Sequence, residues 1–381
     1  MEYRDLGKTG KKVSVIGLGC EHLDGKPYGQ VKETIDAALE RGINILDVFM
    51  PGKEVRENIA RALGERRKDV LIQGHLGSVD LRQQYDISRD LAVVKKYYED
   101  LLRIFGGHIE AGMLFFIDSE EDFKGVFETG FAEYARKLKE NGDIGHIGFS
   151  SHNPVMARRA IETGLPELML FSINLAFDLL PVGKNALDEL TKGLDAAAFG
   201  GFDPERAALY RLCEQRGIGI TVMKTLGAGK LISQDHSPFK KPMTVTQCVH
   251  YALSRPAVAS VLLGSKTRAE VEDSLRYLTA SDEERDYSDV LGTLKSDFSG
   301  NCVYCGHCQP CPAGIDIASV NKYLDIARLD VSKVPPSIRS HYSGLANHGG
   351  DCVACGNCEK RCPFGVSIIE NMAEAVEVFS V

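Results

Sequence analysis

Eight of the eleven cysteines lie between Cys302 and Cys362, in two groups built on the same step of three. The first runs Cys302-x-x-Cys305-x-x-Cys308-x-x-Cys311-Pro312, the second Cys352-x-x-Cys355-x-x-Cys358-x-x-x-Cys362-Pro363. Thiolates are soft ligands, and three at successive i+3 steps can wrap three corners of an iron–sulfur cubane, with the Cys-Pro sulfur supplying a fourth ligand. Zinc competes for such residues, since repeated Cys-x-x-Cys pairs also bind it. A zinc site uses two spaced pairs, however, and gives no reason for a third step of three or for either proline. The spacing therefore points to two [4Fe–4S] clusters. A disulfide framework is not expected in a long chain of cytosolic character. Cys213 and Cys248 sit on helical patterns and read as small core residues. Cys20 ends a strand pattern, where a functional role is open.

The elements before the cysteines alternate. Strand patterns fall at Ile16–Cys20, Ile43–Asp47, Val70–Gln73, Met113–Ile117, His146–Phe149, Leu168–Ile173, Ile218–Val222 and Ala259–Leu263. Helical periodicity fills the gaps at Val31–Arg41, Val55–Leu63, Asp90–Ile104, Phe127–Glu140, Pro154–Thr163, Glu205–Arg216, Val245–Leu253 and Ala269–Leu278. Gly42, Gly142, Gly164 and Gly217 follow helix ends as left-handed stops. Eight such βα units fit a (β/α)8 TIM barrel, whose site lies at the C-terminal strand ends. A dinucleotide fingerprint would need a third glycine, and Gly17-Leu18-Gly19-Cys20-Glu21-His22 lacks it. The division expected is a barrel over 1–280, a linker over 281–299 and a cysteine domain over 300–381. Ile317–Ile326 reads as helix between the two cysteine groups, so that domain should be mainly helical. Leu175–Asp203 is long for a barrel loop, and such loops are usually functional.

Several of these segments resemble the aldo-keto reductase family. They are Tyr3–Ser14, like the hairpin that closes the barrel bottom; Gly17-Leu18-Gly19; Gly42–Asp47; Gly145–Ser150; and Val222-Met223-Lys224 with Leu226–Gly229. With the cysteine region added, the chain resembles the ferredoxin-fused branch. The resemblance implies hydride transfer from NADPH to carbonyls, with an Asp, Tyr, Lys, His tetrad at the ends of strands two to four. Asp47 matches the aspartate. Pro51 lies nearest the tyrosine position, His75 takes the lysine position, and Ile117 falls on or beside the histidine position. Asp47 and His75 are thus the catalytic candidates, His75 because imidazole titrates in the useful range. Cofactor positions implied by the resemblance are Ser150, Ser151, Ser172, Gly227, Gly229, Gly264, Ser265, Lys266 and Asp273. In two-cluster ferredoxins the Cys-Pro ligand serves the other cluster. That implies Cys302, Cys305 and Cys308 with Cys362, and Cys352, Cys355 and Cys358 with Cys311.

The chain has 381 residues, a formal charge of −8, 44% hydrophobic and 26% charged residues. That is enough to bury a full core. No basic block suggests nucleic acid, and no apolar run approaches the roughly 18 residues of a membrane span. A cytoplasmic oxidoreductase acting on a small-molecule substrate is expected, with a redox protein as a further partner. Clusters exchange single electrons whereas NADPH moves a hydride, so a flavin or a radical-tolerant substrate could mediate between them. The leading expectation is one-electron transfer through the two clusters to a site at the barrel mouth. The alternatives are a non-catalytic barrel that presents the clusters as a carrier, and an NADPH-dependent carbonyl reductase with a rearranged proton donor.

Overall fold

The computed structural model describes residues 1–81, 85–292, 294 and 298–380. It divides into two compact units. The first comprises Met1–Ile173, Ile218–Thr225 and Val258–Leu278, and the second Asn174–Gly217, Leu226–Ala257 and Thr279–Val381.

The first unit contains a closed, all-parallel barrel of eight strands. In chain order they are β1 (Ile16–Gly19), β2 (Ile45–Val48), β3 (Leu71–Leu76), β4 (Ile109–Leu114), β5 (Ile144–Ser151), β6 (Leu168–Ser172), β7 (Gly219–Met223) and β8 (Val258–Gly264). Strands β2, β3 and β6 are buried at every position, as a parallel sheet covered on both faces requires. Leu6, Val13, Ile45, Leu71, Met113, Leu168 and Leu262 belong to one apolar cluster. Leu6 and Val13 come from the N-terminal hairpin, whose strands Tyr3–Asp5 and Lys12–Ser14 pair antiparallel. Gly219 opens β7 where that hairpin presses in. A Cβ there would stand 2.6 Å from the backbone of Leu6 and Gly7.

Two expectations in this unit are corrected. The fourth strand ends at Leu114 rather than Ile117, because Phe116 takes a left-handed backbone with φ of 58° that no strand accommodates. The helix expected over Phe127–Glu140 is two helices, Glu120–Phe127 and Gly130–Glu140. Ser119 opens the first with a capping box, and Thr129 caps the second by accepting from the Phe131 N–H.

Among its described residues the second unit holds helices and no strand. Its longer helices are Pro204–Arg216, Val245–Leu253, Ile317–Ala327, Pro336–Ser343 and Ile368–Phe379. The Leu175–Asp203 segment is folded and includes the helices Leu175–Asp178 and Ala186–Lys192. The expected linker is also not a bare connection. It carries helices at Asp282–Arg285 and Ser288–Leu291, and Tyr287 between them is fully buried. Thr293, Lys295, Ser296 and Asp297 of that stretch lie outside the described residues. Among the described residues no helix is long and apolar enough to cross a membrane.

Candidate functional site

Register places Asp47 beside Gly19 on β1 and beside Gln73 on β3. Gln73 and His75 are two residues apart on β3 and share a face. Asp47 Oδ1 accepts from Gln73 Nε2 at 3.1 Å and lies 2.8 Å from His75 Nε2. Across the barrel, Thr221 Oγ1 donates to Gln73 Oε1 at 2.9 Å, which fixes the amide. An ionised carboxylate only accepts, so His75 Nε2 carries the proton in this pair. Nδ1, the other ring nitrogen, is buried and has no hydrogen-bond partner among the described residues. One ring nitrogen is thus held by Asp47, and the other is buried.

Apolar rings surround that imidazole. Phe115 and Phe49 meet it edge-on at centroid distances of 5.2 and 6.0 Å. Tyr85 packs edge-on against Phe49 at 5.3 Å, where burial and then the charge of Glu21 hold its hydroxyl protonated beyond the usual range. Burial and then Asp47 push the Cys20 thiol well up, so Cys20 is not poised as a nucleophile. Cys213 and Cys248 are buried as expected. At the tyrosine position the turn is held by Arg56, whose Nε donates to the Met50 carbonyl at 2.9 Å. Ile117 is engaged through its backbone with Ser150 and Ser151 and offers no polar group.

Asp118, expected at the strand ends from the sequence, forms a second acid–imidazole pair with His152, which sequence reasoning did not single out. Asp118 accepts from the backbone N–H of His152 at 2.6 Å and lies 2.8 Å from its Nδ1. Burial opposes ionisation there, but His152 and Ser151 outweigh it and hold the carboxyl below its usual range. Ser151 Oγ donates to Asp118 and to the Ile117 carbonyl, and Ser150 Oγ accepts from the Phe116 N–H. Those two serines tie the strand ends together, and Ser172 is buried at the end of β6. The His-after-Ser-Ser order in Ser150-Ser151-His152 was the available signal.

The turn after β8 is occupied by its own chain. Glu270 accepts from the Lys266 N–H at 2.8 Å, and Thr267 caps the following helix. Arg268 pairs with Glu40 at 3.1 Å and Glu272 at 3.8 Å, and Asp273 with Arg276. His22 covers Gly264, where a Cβ would meet its ring at 2.7 Å, and Ser265 is buried. A phosphate seated here would have to displace Glu270. Gly227 and Gly229 belong to the second unit, both with positive φ.

The eight expected metal ligands all lie in the second unit. Cys311, Cys352, Cys355 and Cys358 line one small pocket, together with Pro312, Ile315, Ile317 and Met372. The four are the set expected from cross-ligation, with Cys311 reaching over from the first motif. Burial pushes Cys302 up to about 12, and the neighbouring Cys305, Asp325 and Cys362 add to the shift. Cys305 is likewise pushed up to about 12, first by burial and also by Cys362. Arg361 lines the four-cysteine pocket, and its guanidinium donates to the carbonyls of Cys308 at 2.6 Å and Pro310 at 2.7 Å. One cation thus ties the second motif to the first. Among the described residues no three His, Cys, Asp or Glu side chains close on a single-ion site.

The barrel has known counterparts. An aldo-keto reductase from Bacillus halodurans superimposes with a TM-score of 0.60 at 20% identity, covering 77% of this chain and 97% of that one. In sequence the chain is similar to the uncharacterized oxidoreductase YqkF of Bacillus subtilis, 23% identical over 74% of this chain and 92% of that protein. It is also similar to L-galactose dehydrogenase of Arabidopsis thaliana, 26% identical over 73% of this chain and 88% of that protein. No family model matches. The fold is that of the aldo-keto reductase barrel, and the chain is an oxidoreductase.

Proposed function

We propose that the protein is an iron–sulfur oxidoreductase that couples one-electron transfer through two [4Fe–4S] clusters to a site at the barrel mouth. The four-cysteine pocket carries this reading, because Cys311 completes the second motif from 41 residues before Cys352. Cys302, Cys305, Cys308 and Cys362 would hold the other cluster. When bound, each cluster supplies a store for one electron. Arg361 holds the two motifs together through backbone carbonyls. At the mouth, Asp47 orients His75 through Nε2 and leaves Nδ1 to accept a proton or hydrogen bond from a substrate. Phe49 and Phe115 keep water from that nitrogen. A small-molecule substrate and a redox protein partner follow from this division of labour. A cytoplasmic location accompanies it, since reducing conditions keep thiols free for iron.

NADPH-dependent carbonyl reduction is the second reading, favoured by the retained Asp47 and its contact with His75. It requires Glu270 to leave the Lys266 amide so that a phosphate can enter.

Single cysteine variants examined by EPR after anaerobic dithionite reduction test the leading reading. Cys311→Ser should perturb the same signal as Cys355→Ser, and Cys362→Ser the same signal as Cys305→Ser. Pairing of Cys311→Ser with Cys305→Ser would overturn the cross-ligation.

A further inference from the structure

Beside Cys302 the second unit opens a cleft of about 760 Å³, within the range of about 300–1,000 Å³ typical of small-molecule sites. Its charges are unevenly satisfied. Asp178 is already bonded by Arg206, Tyr210 and Tyr251, and Asp325 by Tyr304 and Arg328. Asp203 caps the helix Pro204–Arg216. Two cations of the lining are not matched in this way. Arg255 is buried, yet among the described residues its guanidinium donates to neutral oxygens: the Tyr251 carbonyl, Ser254 Oγ, the Tyr287 hydroxyl and the Val303 carbonyl, at 3.2, 2.9, 3.2 and 3.0 Å. Arg211 forms no ion pair or hydrogen bond among the described residues. Phe202 and Phe298, with ring centroids 5.2 Å apart, give the same cleft an apolar wall.

Unpaired cations are costly where water is excluded, and a low-dielectric concavity focuses their field on an incoming anion. We propose that this cleft binds a small organic anion, a carboxylate or phosphate ester with a planar apolar body, whose charged head is held by Arg211 and whose body lies against Phe202 and Phe298. Nothing at the barrel mouth takes part. Binding itself stands on the cleft alone; that the ligand sits beside a redox centre rests on the proposal that Cys302 ligates a cluster.

Benzoate and phenyl phosphate share a ring and differ in the head group, so they separate the two sources of charge. Each is titrated calorimetrically into anaerobic holoprotein, its Arg211→Gln variant and Lys240→Gln as a control. At least one probe should bind. Its affinity should fall about tenfold to a hundredfold in Arg211→Gln, the scale of one hydrogen bond to a charged group, and be unchanged in Lys240→Gln. Unchanged helical circular dichroism excludes misfolding of the variant. Absence of binding by both probes, or equal affinity in Arg211→Gln, would overturn the proposal. EPR of the reduced protein gives the second readout: bound probe should alter one cluster signal. Arg211-dependent binding without that change supports the cleft and overturns its placement beside a cluster.

Discussion

Asp47 and Asp178 are both buried carboxylates, one in each unit, and their surroundings differ in one respect. Asp178 accepts three short hydrogen bonds, from Arg206 Nε at 2.6 Å, Tyr210 at 2.7 Å and Tyr251 at 2.6 Å. All three donors come from helices that it thereby ties together. Among the described residues the Asp47 carboxylate accepts from Gln73 and His75 alone, and the histidine it holds keeps a buried nitrogen without a hydrogen bond. A buried acid closed on all sides is an anchor. One whose imidazole partner keeps a buried nitrogen unbonded among the described residues is the one we propose for proton chemistry.

Activity gives the largest expected separation between them. Whatever NADPH-dependent carbonyl turnover the protein shows should be weak, and His75→Ala should lower it by about 10²–10⁴-fold. A steady-state assay checks this, and an unchanged rate would remove His75 from the chemistry. Asp178→Ala should instead cost about 3–5 kcal/mol of stability by removing the acceptor that Arg206, Tyr210 and Tyr251 share. Chemical denaturation monitored by helical circular dichroism measures that loss. Tyr251→Phe removes one of the three donors and should cost only about 0.5–1.5 kcal/mol in the same experiment.

A smaller effect concerns the acid limb. Burial works against ionisation of Glu167, yet His146, Lys139 and the Ile147 N–H bring it down to about 2. Because the folded value is depressed, its contribution is present above the unfolded value of about 4.3 and is lost as pH falls toward 2. Glu167→Gln should therefore flatten the decline in stability between about pH 4 and 2, seen as thermal midpoints that change less than those of the parent.

Much of this was legible because it is local or periodic. Strand and helix alternation exposed the eight strands, and the cysteine spacing exposed both motifs before any packing was known. The end of β4 was not legible, since Met113 to Ile117 is apolar throughout although only Met113 and Leu114 are strand. Ser119 and Thr129 marked the split between two helices, but the continuous periodicity across Phe127 and Phe131 masked it. The linker hid a buried tyrosine, because Tyr287 packs with Tyr251 and bonds to Val303, both distant in sequence. Asp178 was invisible for the same reason: its donors at 206, 210 and 251 share no motif. Of the site, Asp47 and His75 could be named from the family resemblance, whereas the roles of Gln73 and Thr221 required the barrel to close.

Metal and sulfide analysis of the anaerobically isolated protein bears most directly on the two-cluster proposal. Two cubanes require about eight irons and eight acid-labile sulfides per chain. Zinc in place of iron, or about four irons in a single cluster, would contradict it.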